Sequence, residues 1–287
     1  MGGLLSGLGK LGLENLEEMD LYEAPAAKKE QAGSNNAPKT PVKSEADFLF
    51  DKTTECPVCY KEFKAKTMKV GKAKLSHTDL DLRPIYDDIE PLKYDVILCP
   101  HCGYTALSRY FKGITASQGK LIKERISQAY HRAEVKEDTY TYEEAMDRYK
   151  LSLANAIVKH AKASEKAYIC LKAGWLLRSQ ADYLASTGEL NSARAAELKG
   201  QENEFLKNAL EGFITARQSE GYPMCGMDQS TMEYIVAVLS MEFEQFELSS
   251  HIIAELLTSN TATSRMKEKA RDVKELLIAR IKEKKAN

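Results

Sequence analysis

Two short motifs dominate this sequence: Cys56-Pro57-Val58-Cys59 and, further along the chain, Cys99-Pro100-His101-Cys102. In a Cys-Pro-x-Cys turn, both thiolates project from one tight turn, and two such turns supply the four ligands of a tetrahedral site. Four thiolates leave no coordination position for water or substrate. The pattern therefore predicts one structural Zn²⁺ rather than a catalytic metal, with Cys56, Cys59, Cys99 and Cys102 as ligands.

Other interpretations of the cysteines stay open at this stage. Rubredoxin also has paired Cys-Pro-x-Cys turns and uses iron for electron transfer, but the spacing here is longer. A dithiol redox pair would need a βαβ setting that the sequence does not show. His77 or His101 would be a ligand only if one thiolate were replaced, and we interpret both as surface or supporting residues. Cys170 lies among apolar helix residues, so core packing explains it.

Charge and length exclude several classes of protein. Lys plus Arg total 41 against 42 for Asp plus Glu in 287 residues, so no global field points to nucleic acid or a membrane surface. No apolar run approaches the roughly 20 residues of a membrane span. Because four of six cysteines form metal-type pairs, a reducing compartment is favoured, and we expect a cytoplasmic protein.

The composition and the apolar spacing of the sequence change twice along the chain. Residues 1–46 are rich in Gly, Ala, Lys, Asn and Pro, which predicts a flexible tail and linker. Residues 47–113 contain short β-like runs, FKAKTMKV, AKLSHTDL and KYDVILC, which predict a zinc-ribbon-like module. Residues 114–287 show apolar spacing of three and four, which predicts helices. The predicted fold class is α+β, predominantly α, with a small β-rich module followed by an antiparallel helical repeat domain.

The helical part repeats itself weakly. We place helices near 115–134, 142–161, 164–186, 191–218, 228–245, 247–259 and 265–284, with Thr141 and Glu144 as a capping box and Gly188 as a stop. A loose small-residue pattern recurs from Ala167, Ala209 and Ser250, and small residues also stand at Ala154, Ala196 and Ala237. This spacing favours paired antiparallel helices of tetratricopeptide-like form, with a plain helical bundle as the alternative.

A basic segment lies between the two cysteine motifs. It contains Lys61, Lys64, Lys66, Lys69, Lys72 and Lys74 against one acid, Glu62. If 63–70 is a strand, Lys64 and Lys66 share one face and form a candidate nucleic-acid contact. The competing interpretation is an edge strand protected by lysine, near a thiolate site whose negative charge lysine offsets. We favour the second, because acids and bases nearly balance over 47–113.

The carboxylates Asp79 and Asp81, with Asp87 and Asp88, invite a second metal site or a catalytic pair. No further acid at fixed spacing completes such a site, so turn-forming and solvated roles are expected. The sequence contains no GxxxxGK[ST], GxGxxG, HExxH or GxSxG. We therefore expect no enzyme.

Several of these segments together resemble a known family. They are CPVC-x3-F, Asp79-x-Asp81, Tyr86, the run from Pro91 to Val96 into CPHCGY, and AYICLKAGWLLR around Trp175. The chain is similar to the DUF2225 family of uncharacterised bacterial proteins over roughly residues 47–260. The resemblance implies a zinc-ribbon-like N-terminal region followed by a tetratricopeptide-like helical region, and it implies no activity. Tyr60 stands where the family pattern expects Gly.

The function predicted from these observations is a non-enzymatic, zinc-binding adaptor that holds a protein or peptide on its helical surface. Stacked helix pairs usually present such a surface. The alternative is a nucleic-acid-binding protein that uses the lysines of 61–74. A rubredoxin-like or dithiol redox protein ranks third.

Overall fold

A computed structural model describes Gly12, residues 44–131 and residues 138–286. The tail and linker predicted for 1–46 therefore lie outside the described residues, apart from Gly12 and 44–46. The chain is predominantly α-helical, with a small β-rich region before the helices. The predicted fold class is confirmed at this level.

The β-rich region consists of three antiparallel hairpins. Their strands are β1 (Leu49–Glu55) with β2 (Glu62–Met68), β3 (Leu75–Thr78) with β4 (Pro84–Tyr86), and β5 (Val96–Leu98) with β6 (Thr105–Leu107). The predicted β-like runs contain β3, β5 and all of β2 except its first residue, Glu62. The turns of the first and third hairpins carry the two cysteine motifs, so hairpin formation presents both pairs of thiols.

The helices follow the hairpins along the chain. They are α1 (Ala116–Ile122), α2 (Tyr142–Val158), α3 (Ala163–Thr187), α4 (Ser192–Ser219), α5 (Gln229–Glu242), α6 (Phe246–Thr258) and α7 (Ser264–Ala286). Short 3-10 turns at Glu45–Phe48 and Pro91–Tyr94 flank the strands, and a π-helical turn at Lys123–Ser127 continues α1. Successive long helices from α2 to α7 pack against each other in chain order.

The helix ends follow local sequence chemistry. The Thr141 hydroxyl accepts a bond from the Glu144 backbone N–H at 3.1 Å, and the Glu144 carboxylate accepts one from the Thr141 N–H at 2.8 Å. This reciprocal capping box satisfies two N–H groups at the start of α2. Gly188 ends α3 with φ +75°, a left-handed conformation that glycine adopts without steric cost. Both sequence predictions are confirmed.

One helix prediction and one copy of the repeat pattern differ from the structure. The helix expected over 115–134 ends as α1 at Ile122 and passes into the π-helical turn. The helix expected near 191–218 is confirmed as α4, but it contains both Ala196 and Ala209, which the repeat pattern assigns to paired helices. This copy of the pattern therefore does not mark two helices joined by a turn, because helix propensity is maintained over the 28 residues of α4 without a break. The tetratricopeptide-like pairing stays a prediction.

Small residues do allow neighbouring helices to approach closely. A Cβ built on Gly174 of α3 would lie 2.7 Å from a methyl carbon of Leu206 on α4. The Ser249 hydroxyl of α6 donates to the Ala237 carbonyl of α5 at 2.8 Å. Both Gly174 and Ala237 belong to the small-residue pattern read from the sequence, so the pattern marks helix contacts even where it does not mark helix pairs.

The hydrophobic core is shared between the hairpins and the helices. One continuous cluster of buried side chains contains Phe63 and Tyr104 from the hairpins together with Ile122 and Tyr149 from the helices. A smaller cluster joins Phe48 and neighbours to Tyr140. The β-rich region is therefore packed directly onto the first helices.

Candidate metal centre

The two cysteine turns have the same backbone hydrogen bonds. In the first, the Cys56 N–H donates to the Lys61 carbonyl at 3.0 Å and the Tyr60 N–H donates to the Cys56 carbonyl at 2.9 Å. In the second, the Cys99 and Gly103 N–H groups make equivalent bonds at 2.9 and 3.0 Å. Each pair of thiols is therefore fixed on one compact turn before any metal is considered.

The four sulfur atoms converge. All four lie within 4.8 Å of one another, with 3.6 Å between the Sγ atoms of Cys56 and Cys102 and 3.7 Å between those of Cys59 and Cys99. Four thiolates around a Zn²⁺ with bonds of about 2.3 Å lie about 3.8 Å apart. The spacing fits a tetrahedral metal site without large movement. Within the part of the chain that the structure describes, this is the one cluster of three or more side chains that could hold a metal ion.

The thiols of the sulfur cluster differ in their pKa. Hydrogen bonds from the Cys102 and Cys99 thiols hold the pKa of Cys56 well below its usual range, at about 2. The same hydrogen bond with Cys56 and burial raise the pKa of Cys102. Hydrogen bonding with Cys102 lowers the pKa of Cys99, but hydrogen bonding with Cys56 and burial outweigh it and raise that pKa. Binding of a divalent cation at the four sulfurs would require loss of the thiol protons, because metal ligation requires deprotonated sulfur.

Neighbouring histidines do not enter the cluster. The His101 ring lies 3.2 Å from the Glu62 carbonyl oxygen through Nε2, and His77 is exposed on β3. Both agree with their interpretation as surface or supporting residues. Cys170 is fully buried, and burial raises its pKa well above the usual value, which suits a packing role.

The two turns differ in the residue that follows the second cysteine. Gly103 has φ +71°, and a Cβ there would lie 2.5 Å from the Tyr130 ring. Tyr60 adopts the same left-handed region, with φ +59°, but its side chain is largely exposed and the Lys123 ammonium lies 5.3 Å from its ring centroid. The first turn tolerates a side chain because solvent adjoins it, and the second excludes one because Tyr130 does. Tyr60 therefore has the same turn geometry as Gly103 although it carries a side chain.

Residues from the helical part of the chain donate hydrogen bonds to the second cysteine turn. The Ser127 hydroxyl donates to the Cys102 carbonyl at 2.9 Å, and the Asn155 amide donates to the Gly103 carbonyl at 3.2 Å. Asn155 is fully buried on α2. The position of the Cys99–Cys102 turn therefore depends on residues far along the chain, which the sequence alone did not indicate.

The six lysines of 61–74 do not act as one free basic surface. Lys66 forms ion pairs with Asp51 at 3.1 Å and Asp138 at 3.2 Å. Lys74 pairs with Asp87, and the Lys69 ammonium donates to a backbone carbonyl at 2.8 Å.

Half of the set is thus engaged within the chain. For the other half, Lys61, Lys64 and Lys72, no ion pair with another described residue is found. Their contact with nucleic acid stays a prediction.

Asp79 and Asp81 lie in a buried ion network, so the expectation of solvated roles is wrong. Asp81 is 4% exposed. Its carboxylate accepts bonds from the Trp175 indole N–H at 2.9 Å and from two Arg178 nitrogens at 2.8 and 3.1 Å. Arg178 also donates to Asp79 at 2.9 Å and to Glu202 at 2.7 Å. Both oxygens of Asp81 and Oδ2 of Asp79 therefore bind N–H donors, so three of the four carboxylate oxygens that a second metal site would use are engaged.

A second arginine completes this network. Arg83, nearly fully buried, donates to Asp79 at 2.6 Å, to Ser179 at 2.9 Å and to Asp182 at 2.6 Å. Burial alone would raise the pKa of Asp79, but the hydrogen bonds from the two arginines outweigh it and lower that pKa. The β3–β4 hairpin is thereby fastened to α3 and, through Glu202, to α4.

A family model for uncharacterised proteins conserved in bacteria, DUF2225, matches residues 49–277. The chain belongs to the DUF2225 family. The match covers both the cysteine turns and the ion network, and two of the sequence segments that carried the resemblance, Asp79-x-Asp81 and the segment around Trp175, contact each other directly. No curated protein and no solved structure matches the chain. None of the helices in the described ranges is both long and apolar enough to cross a membrane.

Proposed function

We propose that this protein is a non-enzymatic adaptor in which one structural Zn²⁺ holds the β-rich region and the helices bind a protein or peptide. The observation that carries the first half is the set of four converging sulfurs. Four thiolates fill a tetrahedral zinc site and leave no position for a substrate. The residues that would hold the ion are Cys56, Cys59, Cys99 and Cys102, and the ion would supply cross-linking rather than reactivity. We propose that the protein is cytoplasmic, because a reducing compartment would keep the four ligand cysteines and the separate thiols of Cys170 and Cys225 free of disulfides.

The proposal for the helices rests on exposed apolar side chains. Among the described helical residues, Tyr183 on α3 and Leu276 and Ile278 on α7 are large apolar or aromatic side chains that remain substantially exposed. Tyr183 lies 5.6 Å from the Tyr142 ring, centroid to centroid, so two aromatic rings adjoin at that surface. Aromatic side chains are enriched in protein interfaces.

Metal content tests the first half of the proposal. The purified protein should contain one zinc per chain and no iron colour, and Cys99→Ser should lose the metal. The matched control is Cys170→Ser, which changes a thiol outside the cluster and should keep it. Zinc retained by Cys99→Ser, or red iron-containing protein, would contradict the structural-zinc assignment.

An affinity pull-down tests the second half. The zinc-loaded chain is used as bait with and without nuclease, beside Tyr183→Ser, Leu276→Ser/Ile278→Ser and, as a control on the β-rich region, Val70→Ser. A stoichiometric, nuclease-resistant protein that one helical variant loses and Val70→Ser keeps supports the adaptor. A protein kept by every variant contradicts its placement on the helices. Nuclease-sensitive recovery of RNA or DNA instead favours the lysines of 61–74.

A further inference from the structure

A cleft of about 520 Å³ lies between the β1–β2 hairpin and the segment from β4 to β6. Its volume is within the usual range for small-molecule sites, about 300–1,000 Å³. The half-buried side chains of Tyr86, Pro91 and Ile97 contribute apolar surface, and Lys172 of α3 reaches the cleft from the helices. The cleft is thus separate from the sulfur cluster and from the helical surface discussed above.

Positive charge in the cleft is only partly compensated. Lys52 forms no ion pair with any residue that the structure describes, and the Lys112 ammonium donates to the backbone carbonyl of Glu55 at 2.8 Å rather than to a carboxylate. Both side chains line the cleft. Two ammonium groups at one concave surface form a favourable site for an anion, because a carbonyl oxygen does not neutralise a full positive charge.

The acids that line the same cleft offset this charge less than their number implies. The Asp95 carboxylate accepts from the Ser108 hydroxyl at 2.7 Å on one oxygen and pairs with Lys172 on the other. Glu90 accepts a hydrogen bond from the Leu92 N–H at 3.0 Å, and burial raises its pKa. Glu55 is the remaining acid, and its side chain is exposed to solvent, as are those of Lys52 and Lys112.

We propose that this cleft binds a small organic anion. Its phosphate or carboxylate group contacts Lys52 and Lys112, and its apolar or aromatic body lies against Tyr86, Pro91 and Ile97. Charged hydrogen bonds supply orientation, and burial of the body supplies affinity that an inorganic anion lacks. The proposal does not depend on which partner the helices bind.

Calorimetric titration of the zinc-loaded full chain with 1-naphthyl phosphate tests this proposal. We expect saturable binding of one molecule per chain, at least about tenfold tighter than inorganic phosphate. Lys52→Gln/Lys112→Gln should weaken binding by about tenfold or more. The matched control, Lys207→Gln/Lys274→Gln, removes the same charge from exposed helical positions and should change affinity less than about twofold.

A steric variant separates the cleft from general electrostatics. Thr53 is an exposed residue that lines the cleft, and Thr53→Trp should fill it and abolish saturable binding while circular dichroism stays unchanged. Absence of saturable binding to the wild type would overturn the proposal. So would equal losses in the two lysine double variants, or equal affinity for inorganic and naphthyl phosphate.

Discussion

Replacement of Asp81 by Asn removes the centre of the ion network while keeping the size of the side chain. The Asp81 carboxylate accepts bonds from Trp175, from Arg178 and from the Arg83 backbone N–H, and it is almost completely buried. An amide offers one acceptor oxygen, and its NH₂ group faces N–H donors. The variant therefore leaves part of a buried guanidinium without a negative partner.

The expected loss of stability depends on the ion pairs that Arg178 keeps in the variant. Breaking a buried ion pair by removing one partner costs about 3–5 kcal/mol. Arg178 keeps its bonds to Asp79 and Glu202, so we take the lower end, about 3 kcal/mol. For a chain of this size, that corresponds to a fall in melting temperature of roughly 6–12 °C.

The single tryptophan makes the measurement direct. Trp175 is the only Trp in the sequence and donates to Asp81, so its emission reports the network itself. Urea unfolding of Asp81→Asn is followed by Trp emission and by far-ultraviolet circular dichroism at constant zinc. The matched control is Asp182→Asn, whose carboxylate also binds Arg83 but is 60% exposed and should cost less than about 1 kcal/mol. A loss below about 1 kcal/mol in Asp81→Asn, or equal losses in the two variants, would refute the reasoning.

Three further outcomes follow from the same contacts. Gly103→Ala should destabilise the protein by about 2 kcal/mol or more, because the added Cβ would clash with the Tyr130 ring and the residue has a positive φ. Tyr60→Ala should change the free energy of unfolding by less than about 1 kcal/mol, and chemical denaturation of both variants compares the two. Removal of metal with a chelator should lower the melting temperature of the helical circular dichroism signal, and an unchanged helical transition would contradict a shared core. Asp79 has a lowered pKa in the folded state, so stability should fall as pH decreases through 3.8 towards that lower value. Asp79→Asn should flatten this slope, and identical pH profiles would count against the assignment.

Local chemistry made the convergence of the four cysteines predictable from the sequence. Each Cys-Pro-x-Cys turn specifies its own geometry, so four candidate ligands could be named before any fold was known. The start of α2 and the end of α3 were also accessible, because the capping box at Thr141 and the stop at Gly188 act within a few residues.

The ion network was not accessible in this way. Asp81 and Trp175 are separated by 94 positions, and no periodicity relates them. Carboxylates in a polar segment look solvated until helix packing supplies a buried arginine. The segment AYICLKAGWLLR gave an indication, since it places Arg178 one turn after Trp175 on the same face of a predicted helix. The cleft was likewise hidden, because its walls come from three hairpins and α3.

The hydrogen bonds from Ser127 and Asn155 to the carbonyls of the second cysteine turn limit where recombination can divide the gene for such a chain. A recombination event near residue 113 would separate the turn from both donors. The Cys102 carbonyl would lose the Ser127 hydroxyl, and the Gly103 carbonyl would keep only the Thr105 hydroxyl, beside an exposed apolar surface. Neither fragment would gain from a new neighbour that lacks those donors. The cysteine segment and the first two helices should therefore be inherited together in gene fusions.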